Sequence, residues 1–235
     1  MDFEKERHWW NRHAASFDSI YSARKNPLSA ALDRIFRWDM EARIAYALEK
    51  IAPAPGMHIL DVACGTGRFS LPCARRGAQV TGVDISENML TLAEKMASEE
   101  ILSGCRFVRG DFMTVSPEEL GEDFHGVAAL GLFDYLEDPL PFLRKMIALS
   151  QGPVVASFPR QGTLRARIRS LRLRLLGCPV FFYQESDLRN LAAQAGGTLE
   201  EIQRIGQLHC AVFQRNQACH NNHAERGSEH TGENV

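Results

Sequence analysis

His58-Ile59-Leu60-Asp61-Val62-Ala63-Cys64-Gly65-Thr66-Gly67-Arg68-Phe69 is the stretch on which the fold turns. Four apolar positions around one acid read as a short buried strand. The strand runs into a G-x-G turn, and an apolar segment follows. Glycine permits a tight turn and a close approach of backbone to ligand. A strand, a glycine turn and a helix in that order form the opening unit of a doubly wound sheet. In such a sheet, ligands sit at the carboxyl ends of the central strands.

Working outward, short apolar runs alternate with helix-length amphipathic runs. Strands are expected at 58–62, 79–83, 106–108, 127–132 and 154–158. Helices are expected at 69–76, 87–99 and 141–149. The alternation predicts a parallel sheet with helices on both faces. A helix at 187–195 with Ser186 as N-cap follows, then strands at 199–205 and 208–214 joined by Gly206-Gln207, a hairpin signal. Before the first strand, Phe36, Met40, Ile44, Ala47 and Leu48 keep helical spacing until Pro53 and Pro55. The organisation read from this is a helical lid segment at 1–50, a ligand-binding domain at 51–215 and a disordered polar tail at 216–235.

The ligand is indicated by three acids. Asp61 stands before the turn, where a carboxylate would repel a pyrophosphate but suits a cationic amino group. Ser70 occupies the place of the third glycine of a dinucleotide fingerprint, which also argues against a nicotinamide dehydrogenase. Asp84 ends the second strand, placed to accept hydrogen bonds from ribose hydroxyls. Asp111 ends the third, placed to accept from an adenine amino group, with Phe112 beside it.

With these residues the chain resembles the class I S-adenosylmethionine (SAM)-dependent methyltransferases. DVACGTG is similar to their first motif, GVDIS to their ribose-binding strand end and GDF to their adenine position. The resemblance implies a Rossmann-like seven-stranded sheet with the last strand antiparallel, and S-adenosyl-L-methionine as cofactor. It implies that Asp61, Ala63, Gly65 and Gly67 surround the methionine end and Asp84 holds the ribose. Ile85, Met89, Asp111 and Phe112 would form the adenine slot, and Leu130 would lie along the cofactor. The segment 131–139 resembles the acceptor segment of the O-methyltransferases of ubiquinone biosynthesis. Those commonly have a histidine where this chain has Tyr135. Asp134 and Tyr135 are the candidate acceptor-side catalytic residues.

Composition bounds the remaining choices. The 235 residues are 45% hydrophobic and 24% charged, enough for a self-supporting core. The six cysteines form no C-x-x-C pair and no zinc-finger set, so no metal is expected. The opening MDFEKERHWW lacks a signal-peptide core, and no apolar run reaches about 18 residues, so a cytoplasmic location is expected. A net charge of −2 leads to an expected small-molecule acceptor and no nucleic acid. The charge is uneven: between Pro139 and Gln184 there are eight Lys or Arg and no acid. Within that stretch, residues 163–176 place leucines on one helical stripe flanked by arginines. A lid over the acceptor, a peripheral contact with anionic membrane and a docked basic helix all remain open.

The expected activity is methyl transfer to a small molecule, O-directed, with a quinone-, tetrapyrrole- or lipid-like acceptor. A SAM-binding regulator without transfer is the alternative, because the cofactor residues are explicit and the acceptor residues are not.

Overall fold

A computed structural model describes residues 27–162 and 180–216, with side chains described from residue 39 onward. The expected lid segment ahead of residue 27, the basic stretch 163–176 and the tail lie wholly or mostly outside the described residues.

Helix α1 (Pro27–Ile51) precedes strand β1 (His58–Val62), α2 (Ser70–Ala74), β2 (Gln79–Asp84), α3 (Glu87–Glu99) and β3 (Cys105–Arg109). Then come α4 (Pro117–Leu120), β4 (Gly126–Leu130), α5 (Leu140–Leu149), β5 (Val154–Pro159), α6 (Glu185–Gln194), β6 (Gly197–Ile205) and β7 (Leu208–Arg215). The seven strands lie in the order β3-β2-β1-β4-β5-β7-β6. β1 to β5 are parallel, and β7 is antiparallel to both β5 and β6. The chain reverses its direction of travel across the sheet between β1 and β4, and this reversal leaves a crevice at the carboxyl ends of those strands.

Alternation along the strands builds two cores. Leu60, Val62, Val127, Ala129, Ala156 and Phe158 meet α5 and α6 through Phe142, Leu143, Met146 and Leu188. Ile59, Val80, Ala128, Val155 and Val212 meet α1 and α2 through Tyr46, Ala47, Ile51, Phe69 and Cys73. α1 is thereby part of the second core, and its end fits the sheet closely. A Cβ on Gly126 would lie 2.7 Å from Ile51 Cγ2.

The helix signals are local. Ser86 Oγ caps α3 by accepting the Met89 N–H, and Ser116 caps α4 ahead of Pro117. Ser186 is not the N-cap of α6. Gln184 is, through a capping box in which the Asp187 side chain accepts the Gln184 N–H at 2.7 Å. The expected strand 127–132 ends at Leu130, because Gly131 turns the chain with φ +109. Among the described residues no helix is long and apolar enough to cross a membrane.

The two sheet edges are polar. β6 carries a bulge between Leu199 and Glu201 and exposes Glu200, Glu201, Gln203 and Arg204. β3 exposes Arg106 and Arg109.

Candidate functional site

The turn after β1 is built around left-handed backbone. Ala63, Gly65 and Gly67 have φ of 55, 54 and 74. Such values favour glycine, so the non-glycine Ala63 is a strained position of the kind found at binding sites. A Cβ on Gly65 would meet nothing within 4 Å, so this turn faces open space. Gly67 packs instead against Phe107, whose Cζ would lie 3.3 Å from an added Cβ.

Two carboxylates flank the turn. Asp61 is 2% exposed and accepts from Ser70 Oγ at 2.6 Å. Burial is the main cause of a rise in its pKa to about 7; Ser70 partly opposes the rise and the Asp84 charge adds to it. Asp84 accepts the Gly65 N–H at 2.9 Å with Oδ2 and the Ser86 N–H at 2.8 Å with Oδ1. Burial raises its pKa too, and those N–H groups pull it back. Asp84 therefore ties the β1 turn to the start of α3. The third turn joins the same place through the Gly110 N–H, which donates to Asp84 O at 3.0 Å.

The other sequence-predicted residues follow β2, β3 and β4 along the chain or end them. Ile85 is half-buried and Met89 is buried at the head of α3. Asp111 accepts the Met113 N–H at 2.9 Å. The Phe112 ring is turned into the first core, 6.3 Å from Phe142, with Lys145 Nζ 4.8 Å from its centre, so it offers little open surface. Leu130 is half-buried on the second core. Asp134 is buried and Tyr135 half-buried in the turn after β4. That turn is held by Tyr183, whose hydroxyl donates toward the carbonyls of Phe133 (3.2 Å) and Leu136 (3.3 Å). Burial and the nearby acids Asp134, Asp138 and Asp187 keep this phenol protonated.

One residue had no signal in the sequence. Arg43, on α1, lies over the backbone just after β4. A Cβ on Gly131 would be 3.2 Å from its Nη2 and 3.3 Å from its Nη1. Its Nε is buried without a hydrogen-bond partner. A cation thus lies beside the backbone that follows β4. Ser70 was read as a missing glycine; it holds Asp61.

A family model described as "Methyltransferase domain" matches residues 59–151. A 23S rRNA (uracil(1939)-C(5))-methyltransferase of Acidithiobacillus ferrooxidans is 28% identical over 163 residues, which is 65% of this chain and 36% of that protein. The protein of the same name from Shewanella putrefaciens is 32% identical over 160 residues, 65% of this chain and 34% of its own length. The chain spans about a third of the length of these relatives. Among solved structures, the magnesium protoporphyrin IX methyltransferase of Synechocystis PCC 6803 with bound S-adenosylhomocysteine (SAH) has a TM-score of 0.74 at 20% identity. That match covers 92% of this chain and 100% of the other. An O-methyltransferase from neocarzinostatin biosynthesis has a TM-score of 0.69 at 18% identity, over 92% and 62% of the two chains.

These relatives correct the expected partners. Nucleic acid was excluded on net charge, yet the curated relatives are named for ribosomal RNA. The expected partner set, which excluded nucleic acid, does not stand; its membrane contact was placed on 163–176, outside the described residues. Net charge is an average, and here it conceals the eight-cation stretch between Pro139 and Gln184.

Proposed function

We propose that this chain, whose residues 59–151 match a methyltransferase domain, transfers the sulfonium methyl of S-adenosyl-L-methionine to an oxygen nucleophile held above the carboxyl ends of β4 and β5. The observation that carries the reading is the open left-handed turn after β1 with the carboxylates of Asp61 and Asp84 beside it. The methionine end of the cofactor is a zwitterion. Asp61 suits its amino group, and Arg43 suits its carboxylate. The open face at Gly65 leaves room for the cofactor. Asp84 accepts from the ribose hydroxyls in place of one of its backbone donors. Ile85, Met89 and Asp111 border the adenine, and Leu130 lies along the chain of the cofactor.

Transfer is a direct displacement: the acceptor oxygen bonds to the methyl carbon as the carbon–sulfur bond breaks, leaving SAH. The chain's task is alignment and exclusion of water. Asp134 and Tyr135 face this task from the turn after β4, with Asp134 as the group able to take a hydroxyl proton. A quinone- or tetrapyrrole-like acceptor is favoured by the fold match over the whole of the magnesium protoporphyrin IX enzyme.

Transfer to a uracil carbon is the second reading, favoured by the names of the curated relatives. That carbon needs activation by an added nucleophile, commonly a thiolate. The thiols of Cys64, Cys73, Cys105 and Cys210 are all pushed upward by burial, away from the thiolate form. The discriminating assay measures SAH release with hydroquinones, with porphyrin carboxylic acids and with a 23S rRNA transcript. Release with the transcript alone would sink the oxygen-directed reading.

SAM binding should depend on pH. In the cofactor-free protein Asp61 keeps its proton up to about pH 7, whereas in the unfolded chain it ionises near 4. This difference stabilises the free fold fully below about pH 4, and the contribution is lost as pH rises to about 7. The cofactor's ammonium selects the ionised form, so below pH 7 binding must expel a proton. Affinity should fall as pH drops below about 7, at up to about tenfold per unit. Calorimetry from pH 5.5 to 8.5 on the wild type and on Asp61→Asn checks this: a wild-type curve as flat as the variant's would refute it.

A further inference from the structure

β5 and β7 pair with Phe158 opposite His209 and Pro159 opposite Leu208. The pairing runs one step further, because the Arg160 N–H donates to Gln207 O at 2.8 Å. Alternation then sets Phe158, Arg160, Gln207 and His209 on one face at the carboxyl end of the sheet. Beneath this face Phe158 and Tyr183 are buried in the first core, 5.1 Å apart and edge to face. His209 is 5% exposed, and its Nδ1 has no hydrogen-bond partner. Gln207 Oε1 is buried in the same condition. Arg160 Nη1 donates to a carbonyl, Gly206 O, at 3.2 Å. Buried polar atoms without partners are costly, and two of them beside an arginine mark a place for a polar ligand group.

We propose that Arg160, Gln207 and His209 form an acceptor subsite that takes a carboxylate of the acceptor. This rests on the methyltransferase reading, since it places the acceptor over β5. The charge count selects a mono-anion. Arg204, the residue paired with His209 across β6–β7, is neutralised by Glu185 at 2.6 Å, and Arg160 supplies the positive charge. Burial and the Arg160 charge keep His209 neutral, so it adds a hydrogen bond and no second cation. The Gln207 amide turned to present its NH2, and the Nδ1–H tautomer of His209, both donate to the carboxylate. The subsite fixes the end of the acceptor away from the methyl group, so that another oxygen of the same molecule faces the cofactor.

The test is calorimetry on the full chain saturated with SAH, titrated with benzoate and, separately, with benzamide. Benzoate should bind at least about tenfold more tightly than benzamide, and Arg160→Gln should erase the difference. SAH affinity should stay within about twofold of wild type, as for a separate site. Absent benzoate binding, or benzoate binding unaltered in Arg160→Gln, overturns the subsite. Should that variant fail to fold, Gln207→Leu replaces it with the same expected loss. Failure of SAH to bind would sink the cofactor reading. Benzoate titrated into the unloaded wild type and Arg160→Gln would then still decide the subsite.

Discussion

Asp84→Ala should lower SAM affinity by about two orders of magnitude while leaving the chain folded. A carboxylate that accepts from ribose hydroxyls contributes about 1.5–3 kcal/mol in such bonds. Asp84 has a second role that raises the expected loss. Its oxygens hold the N–H groups of Gly65 and Ser86, so its removal loosens the β1 turn and the first residues of α3 together. Asp84→Asn should fall between the two, since its one carbonyl oxygen can still accept. Calorimetric titration with SAM gives the affinity, and thermal melting reports the fold. A dissociation constant for Asp84→Ala within about threefold of wild type would remove this residue from the cofactor site, the loss of one such bond being larger than that.

Gly82→Val carries the largest expected effect on stability, about 3 kcal/mol. Gly82 lies inside β2, opposite Asp61 on one side and Phe107 on the other. An added Cβ would lie 2.8 Å from Cys64 Sγ and 2.8 Å from Phe107 Cδ1, closer than such atoms pack. The two γ-methyls of valine add to the crowding. For a chain of this size the loss corresponds to a fall in melting temperature of roughly 6–12 °C. Cys64 belongs to the β1 turn, so the strain should also weaken SAM binding. Cys64→Ala in the same chain should recover part of both, because it removes the sulfur that the new side chain meets. A melting temperature unchanged in Gly82→Val would show that the β1 turn moves away freely, and that its shape is not set by β2.

What was legible in the sequence was local. The alternation of short apolar runs with amphipathic ones gave the strand sequence. Gly206-Gln207 gave the hairpin that makes β7 antiparallel. The acids at 61, 84 and 111 stood out because each closes a short apolar run, a pattern along the chain, and a glycine turn follows the first. What stayed hidden depends on contacts distant in sequence. Arg43 is one cation among several on a helix, and only the docking of α1 beside Gly131 gives it a place. The bond between Ser70 and Asp61 follows from the angle at which α2 leaves the turn. Ser186 is the better capping residue by type, yet Gln184 caps α6 because Asp187 reaches back to it. The packing of the Phe112 ring beside Phe142 in the first core is likewise a contact between residues distant in sequence.

Among the described residues the sheet ends in β3 and β6, and both are unfavourable templates. To add a strand to β6, an incoming chain would have to match a bulge and strip water from Glu200, Glu201 and Arg204. To add one at β3, it would have to desolvate Arg106 and Arg109. Amyloid-like growth from the native sheet is therefore opposed at both ends by the edge residues themselves. The hazard moves to partly unfolded molecules, in which the apolar segments of β4 and β5 are briefly uncovered before α1 and α5 close over them.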